Sequence, residues 1–204
     1  MSSQNHFLIR KLHSLSGIIP VGIFLVEHLI VNSFSAKGAE AFDEKVAWMQ
    51  SIPFMGLLEI FVVALPLLFH ALYGIYIAFT SKGNVGLYGY YRNWFYSLQR
   101  WTGIIAFIFV IYHVSVTRLN NLFLGWEVSF SNMAEHLANP LVLAFYVVGL
   151  VSATFHFANG LWAFLVSWGI TIGPNAQRVS TAVCSGIFLV ITVLGVWSLI
   201  GFTS

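Results

Sequence analysis

The stretch Phe69-His70-Ala71-Leu72-Tyr73-Gly74-Ile75-Tyr76 returns later in the chain as Phe155-His156-Phe157-Ala158-Asn159-Gly160-Leu161-Trp162. Each copy sets a histidine, a glycine one helical turn on and an aromatic residue inside a long apolar run. Two further apolar runs carry one histidine each, His28 and His113. The spacing from His28 to His70 differs by one residue from that between His113 and His156. Gly17 and Gly103 stand at nearly equal distances before His28 and His113. A duplicated helical hairpin accounts for this pattern, the two copies being related by a pseudo-twofold axis along a membrane normal, as in other parallel repeats. Equivalent histidines then face each other. A histidine in the membrane interior is costly unless partnered, so four of them call for one shared explanation.

Composition supports a membrane setting. Of 204 residues, 58% are hydrophobic and only 8% are charged, which excludes an ordinary soluble domain and gives no footprint for nucleic acid. Five apolar stretches reach the roughly 20 residues that a bilayer core requires. They lie near residues 12–34, 57–80, 97–120, 140–166 and 178–201. The fold expected is an all-α membrane protein of five transmembrane helices. Helices I–IV form the duplicated hairpin bundle, helix V is peripheral, and residues 1–204 form a single domain. The first stretch reads as a retained span, because it lacks a small-residue cleavage site and carries Glu27 and His28 in its second half. Cys184 has no partner for an internal disulfide and reads as a small buried hydrophobe. No Cys-x-x-Cys-His motif for covalent haem attachment is present.

The charges are polarised. Arg10, Lys11, Lys82, Arg92, Arg100 and Arg178 flank one side, and Lys37, Lys45 and Arg118 the other. The positive-inside rule places the N-terminus in the cytoplasm and the C-terminus outside a cell membrane. All seven acidic residues, Glu27, Glu40, Asp43, Glu44, Glu59, Glu127 and Glu135, fall toward the outer side. At about 1.5 Å rise per residue, His28 and His113 lie roughly 7 Å outside the midplane and His70 and His156 roughly 3–5 Å inside it. The histidines thus form two levels with one pair at each.

Two imidazoles facing each other across a helical bundle suit bis-histidine ligation of haem iron, and two levels imply two stacked haems. Gly74 and Gly160 are expected to leave room for the flat macrocycle. A lone intramembrane histidine could simply bond a nearby carbonyl, but the repeated spacing and matched depths argue against that for four. Zinc sites usually gather three or four ligands at one level, and this pattern does not. His6, His13 and His136 are expected to be ordinary surface or interfacial residues. Glu27 and Glu59 are expected to reach the headgroup layer, with proton delivery to a redox substrate as their functional alternative.

At these residues the chain resembles the cytochrome b558 membrane-anchor subunits of Bacillus-type succinate dehydrogenases, the succinate:menaquinone oxidoreductases. The resemblance runs over the whole length. It includes Arg10-Lys11-Leu12-His13-Ser14, Ile19-Pro20-Val21-Gly22-Ile23-Phe24, Arg92-Asn93-Trp94, Leu98-Gln99-Arg100 with Thr102-Gly103, Asn159-Gly160-Leu161-Trp162 and Trp168-Gly169-Ile170-Thr171. It implies two b haems, with His28 and His113 on the outer iron and His70 and His156 on the inner one. It also implies a flavoprotein and an iron–sulfur partner on the cytoplasmic face, with succinate oxidised on the flavoprotein. Menaquinone would be reduced near the outer haem; the resemblance assigns no quinone-contact residues, and Glu27 and Glu59 are candidates by their position alone. The expected function is that of anchor and transmembrane electron carrier. The alternatives are the diheme anchor of a fumarate reductase or a histidine-lined ion or metal transporter.

Overall fold

The computed structural model describes residues 3–204, and no strand occurs among them. Five helices are long and apolar enough to cross a membrane: α1 (Asn5–Lys37), α3 (Met55–Thr80), α4 (Tyr91–Leu124), α6 (Pro140–Ser167) and α7 (Pro174–Thr203). Two shorter helices, α2 (Ala39–Gln50) and α5 (Phe130–Leu137), lie in the connections α1–α3 and α4–α6. The five spans extend past the apolar stretches, most of all in α1 and α4, which run from Asn5 to Lys37 and from Tyr91 to Leu124. Hydropathy marks only the part of a helix that sits in hydrocarbon, and the backbone keeps its helical bonds through the polar ends.

Local sequence explains the irregularities. Pro20 lacks an N–H, and α1 is interrupted by one turn residue at Ile19 before resuming. A wide π turn over Glu59–Ala64 precedes Pro66 in α3. A second occupies Ser115–Leu119 in α4. Asn139 Oδ1 accepts the backbone N–H of Leu141 at 2.9 Å, and Pro140 fills the first turn of α6, where its missing N–H costs nothing.

In the bundle, α1 packs against α3 and α6, and α4 packs against α6 and α3. The four helices therefore form a ring in which α1 faces α4, and α3 faces α6, across the diagonals. Helix α7 stays outside this ring, laid against α6 and the outer half of α1. Small residues let these backbones approach, as expected where no water drives helices together. Gly201 abuts Ser35 and Ala36, and Gly195 takes the side chain of Leu150. Ser35 Oγ donates to the Ser198 carbonyl and Ser198 Oγ to the Asn32 carbonyl, both at 2.8 Å, closing the α1–α7 contact with satisfied polar groups. Over the outer end, Phe42, Met133, Leu137, Tyr146 and Phe202 form a buried cluster under α2 and α5. Asp43 fastens that cap by accepting the Phe130 N–H at 2.7 Å.

Candidate cofactor site

The diagonals of the bundle carry the four intramembrane histidines. At the inner level, His70 of α3 and His156 of α6 have ring centroids 6.0 Å apart with planes at 81°. At the outer level, His28 of α1 and His113 of α4 have centroids 5.7 Å apart with planes at 73°. Two imidazole nitrogens bound on opposite sides of one metal, each at about 2.0–2.1 Å, put ring centroids about 6 Å apart. Among the described residues no three histidine, cysteine or carboxylate side chains are placed to hold one metal ion together. An all-protein metal cage is not built here.

The inner pair is held by the backbone. His70 Nδ1 donates to the His13 carbonyl at 2.9 Å, and His156 Nδ1 donates to the Gln99 carbonyl at 2.9 Å. A carbonyl can only accept, so each Nδ1 carries the proton and each Nε2 keeps its lone pair, the tautomer that a metal ligand needs. Gly17 and Gly103, one turn after those carbonyls, make the approach possible. A Cβ on Gly103 would lie 2.7 Å from His156 Cε1, and one on Gly17 would overlap the His70 ring. The repeated glycines seen in the sequence thus act as seats for the inner imidazoles.

The other two repeated glycines have side chains for neighbours. A Cβ on Gly74 would meet His13 Nε2 at 3.1 Å, and one on Gly160 would meet Gln99 Nε2 at 3.2 Å. The room they leave adjoins those two side chains, because His13 and Gln99 occupy matching places in the two copies. His13 is therefore not a surface residue: its ring stacks on His70 at 4.2 Å and 5°, and its Nε2 is buried without a partner. Arg100 Nη2 is also buried without a partner, while the guanidinium lies 3.7 Å from the Tyr96 ring centroid.

The outer pair is held by side chains. Phe24 stacks on His28 at 5.4 Å and Phe109 on His113 at 5.6 Å, again in matching places. Asn32 donates to the His28 carbonyl at 2.8 Å and Thr117 to the His113 carbonyl at 2.6 Å, each one turn on. His113 Nδ1 faces the hydroxyl of buried Tyr146 at 3.3 Å. His136, expected at the surface, packs instead against Tyr112 and Tyr146 with centroids 5.9 and 5.7 Å away. Partial burial lowers its pKa below the ordinary histidine value, so it is neutral at pH 7. Glu59 is engaged as well. Its Oε2 accepts from Arg118 Nε at 3.0 Å and Nη2 at 2.5 Å, which ties the two π turns together. Glu27 has no ion-pair partner among the described residues.

Comparison with known proteins places the chain. Residues 84–196 match the family described as succinate dehydrogenase/fumarate reductase transmembrane subunit. The succinate dehydrogenase cytochrome b558 subunit of Bacillus subtilis is 52% identical over 202 residues, covering 99% of this chain and 100% of the relative. The chain belongs to this transmembrane-subunit family. A more distant relative, the succinate dehydrogenase hydrophobic membrane anchor subunit of Halobacterium salinarum, is 33% identical over 94 residues, 46% of this chain and 69% of its own length. The sequence missed His13, Gln99 and Tyr146 as neighbours of the histidine pairs. Only the place of Gln99 in the second copy, matching His13 in the first, could have drawn attention to two of them.

Proposed function

We propose that this chain is the membrane anchor of a succinate dehydrogenase and the conduit by which electrons cross the bilayer from an iron–sulfur subunit to menaquinone. Family membership and full-length similarity to a named succinate dehydrogenase subunit support the anchor role. The electron-transfer role rests on one observation: two histidine couples set on the diagonals of a four-helix ring, with the inner couple fixed in the Nδ1-protonated tautomer. His28 with His113 would hold an outer b haem, and His70 with His156 an inner one. His13 Nε2 and Arg100 Nη2, buried and unpartnered, suit the acidic side chains of the inner group. When bound, each haem supplies a one-electron carrier in the apolar interior.

The remaining work falls to the protein. Backbone carbonyls at the inner level orient neutral imidazoles, and Phe24 and Phe109 pack the outer ones against water. The partners are a flavoprotein, where succinate is oxidised, and an iron–sulfur protein. The iron–sulfur protein docks on the basic face that includes Arg10, Lys11, Lys82, Arg92 and Arg178, which faces the cytoplasm, and the flavoprotein lies on the same side. Menaquinone reacts at the outer level. There Glu59 is committed to Arg118, which leaves Glu27 as the carboxylate free to serve it. The reduced-minus-oxidised visible spectrum of the purified chain tests the proposal. Two b-type haems per chain are expected, and one haem or none overturns it.

A further inference from the structure

We propose that Tyr146 is a positioning residue for the outer ligand His113, its hydroxyl oxygen accepting the Nδ1–H and thereby setting the electron affinity of the outer haem independently of the inner one. The proposal rests on the two-haem function above. Its first support is an asymmetry in an otherwise duplicated site. Both inner ligands give their Nδ1 proton to a main-chain carbonyl at 2.9 Å, an acceptor that substitution of His13 or Gln99 does not delete. His113 instead finds a side-chain oxygen at 3.3 Å. In the first copy the place of Tyr146 is taken by Ile60, which offers no acceptor. The fold of the hairpin therefore does not require a tyrosine at this point.

The second support is how tightly the phenol is held. Tyr146 is only 4% exposed, and a buried hydroxyl without a partner is costly. Its hydrogen-bond partner is His113 Nδ1. The ring is fixed edge-on by Phe109 at 5.2 Å, by Tyr112 at 6.3 Å and by His136 of the outer helix α5 at 5.7 Å.

The chemistry follows from charge. A metal-bound imidazole has its Nδ1–H polarised more by ferric than by ferrous iron, because the ferric centre carries one more positive charge. An acceptor on that proton stabilises the ferric state more and lowers the potential. Removing the acceptor should raise it.

Redox titration of the assembled complex, following both haems, tests this with Y146F, which deletes only the oxygen, and Y112F, which deletes a neighbouring phenol oxygen that does not face His113. Y146F is expected to move the outer potential upward and to change the low-spin ferric resonance of the outer haem, with the inner haem unmoved and Y112F like wild type. Unchanged outer potential in Y146F, or an equal shift in Y112F, overturns the proposal. If Y146F assembles without the outer haem, Y146Q, which returns an acceptor, should recover it, and failure to recover it counts against the proposal. A wild-type complex with only one haem would instead defeat the two-haem function on which this rests, an outcome visible before any variant is made.

Discussion

The two levels of the bundle solve the same problem in different ways. At the inner level both imidazoles are tied to helix backbone through seats cut by glycine, and the two copies of the hairpin use the same hydrogen bond and the same glycine. At the outer level the histidines are wedged by phenylalanines, and the copies part company where Tyr146 stands opposite Ile60. A backbone seat is insensitive to most substitutions except at its glycine. A side-chain seat can be altered at many positions. The inner site is thus constrained by the fold itself, while the outer site is open to adjustment, as suits the end at which a diffusible substrate is proposed to react.

The largest effects should come from the ligands. H70A or H156A is expected to abolish the inner haem's visible band and spare the outer one, and H28A or H113A to do the reverse. Loss of one partner leaves an imidazole unsatisfied in an apolar site, which also weakens assembly. Spectra in which His28 and His70 variants lose the same haem would break the division into levels.

Next in size are the glycine seats. In G103A the new Cβ would lie 2.7 Å from His156 Cε1, closer than a real contact allows, so the ring must leave the Gln99 carbonyl. Overpacking of this kind costs about 1–3 kcal/mol, or roughly 5- to 150-fold in inner-haem retention. G17A should act the same way on His70. G186A, with nothing within 4 Å of its new methyl group, serves as control and should match wild type. Haem content per chain after detergent washing distinguishes the three, and equal retention in G103A and G186A would show that the seat is not needed.

Much of this was legible in the sequence, for identifiable reasons. Five spans, the duplication and the meeting of His28 with His113 and His70 with His156 follow from hydropathy and spacing, because a helix converts sequence offset into depth. What stayed hidden depends on rotation about helix axes and on side-chain direction. His13 lies near the inner end of an apolar run and gives no sign that it stacks on His70. Glu59 and Arg118 lie far apart in sequence at the outer ends of neighbouring spans. Their meeting depends on the two π turns, which shift helical register in a way periodicity cannot show. His136 sits on a short loop helix whose docking is decided by the buried cluster around Tyr146.

The levels should also differ in potential by a smaller margin. The carbonyl acceptors push the inner haem downward relative to a phenol acceptor, by a difference within the roughly 0.5–1.5 kcal/mol of a net hydrogen bond. Charges push the other way: one unpaired cation about 10 Å away at an effective dielectric of about 20 contributes about 1.7 kcal/mol. Arg10, Lys11 and the other basic residues on that side favour the ferrous inner haem, and Glu27 favours the ferric outer one, so their sum exceeds the hydrogen-bond effect. The inner haem should have the higher potential. Titration of H28A, which keeps only the inner haem, and of H70A, which keeps only the outer, checks the order directly, and a higher value in H70A would reverse it.

The smallest effect belongs to Glu59 and Arg118, and it sharpens the electrostatic difference between the levels. Taken alone, Glu59 would lower the outer potential as a free carboxylate, but its contact with Arg118 makes the pair nearly neutral at a distance. The two side chains are 34% and 45% exposed, and pairs of that exposure contribute about 0–1 kcal/mol to stability. E59Q should therefore leave thermal stability almost unchanged while releasing Arg118 to raise the outer potential slightly. R118Q should lower it by a similar amount. The double variant E59Q/R118Q should return close to wild type, since the two charges are removed together. If the double variant instead keeps the full shift of E59Q, then Glu59 acts on the outer haem as an unpaired charge, and the outer level is more acidic than its ion pair allows.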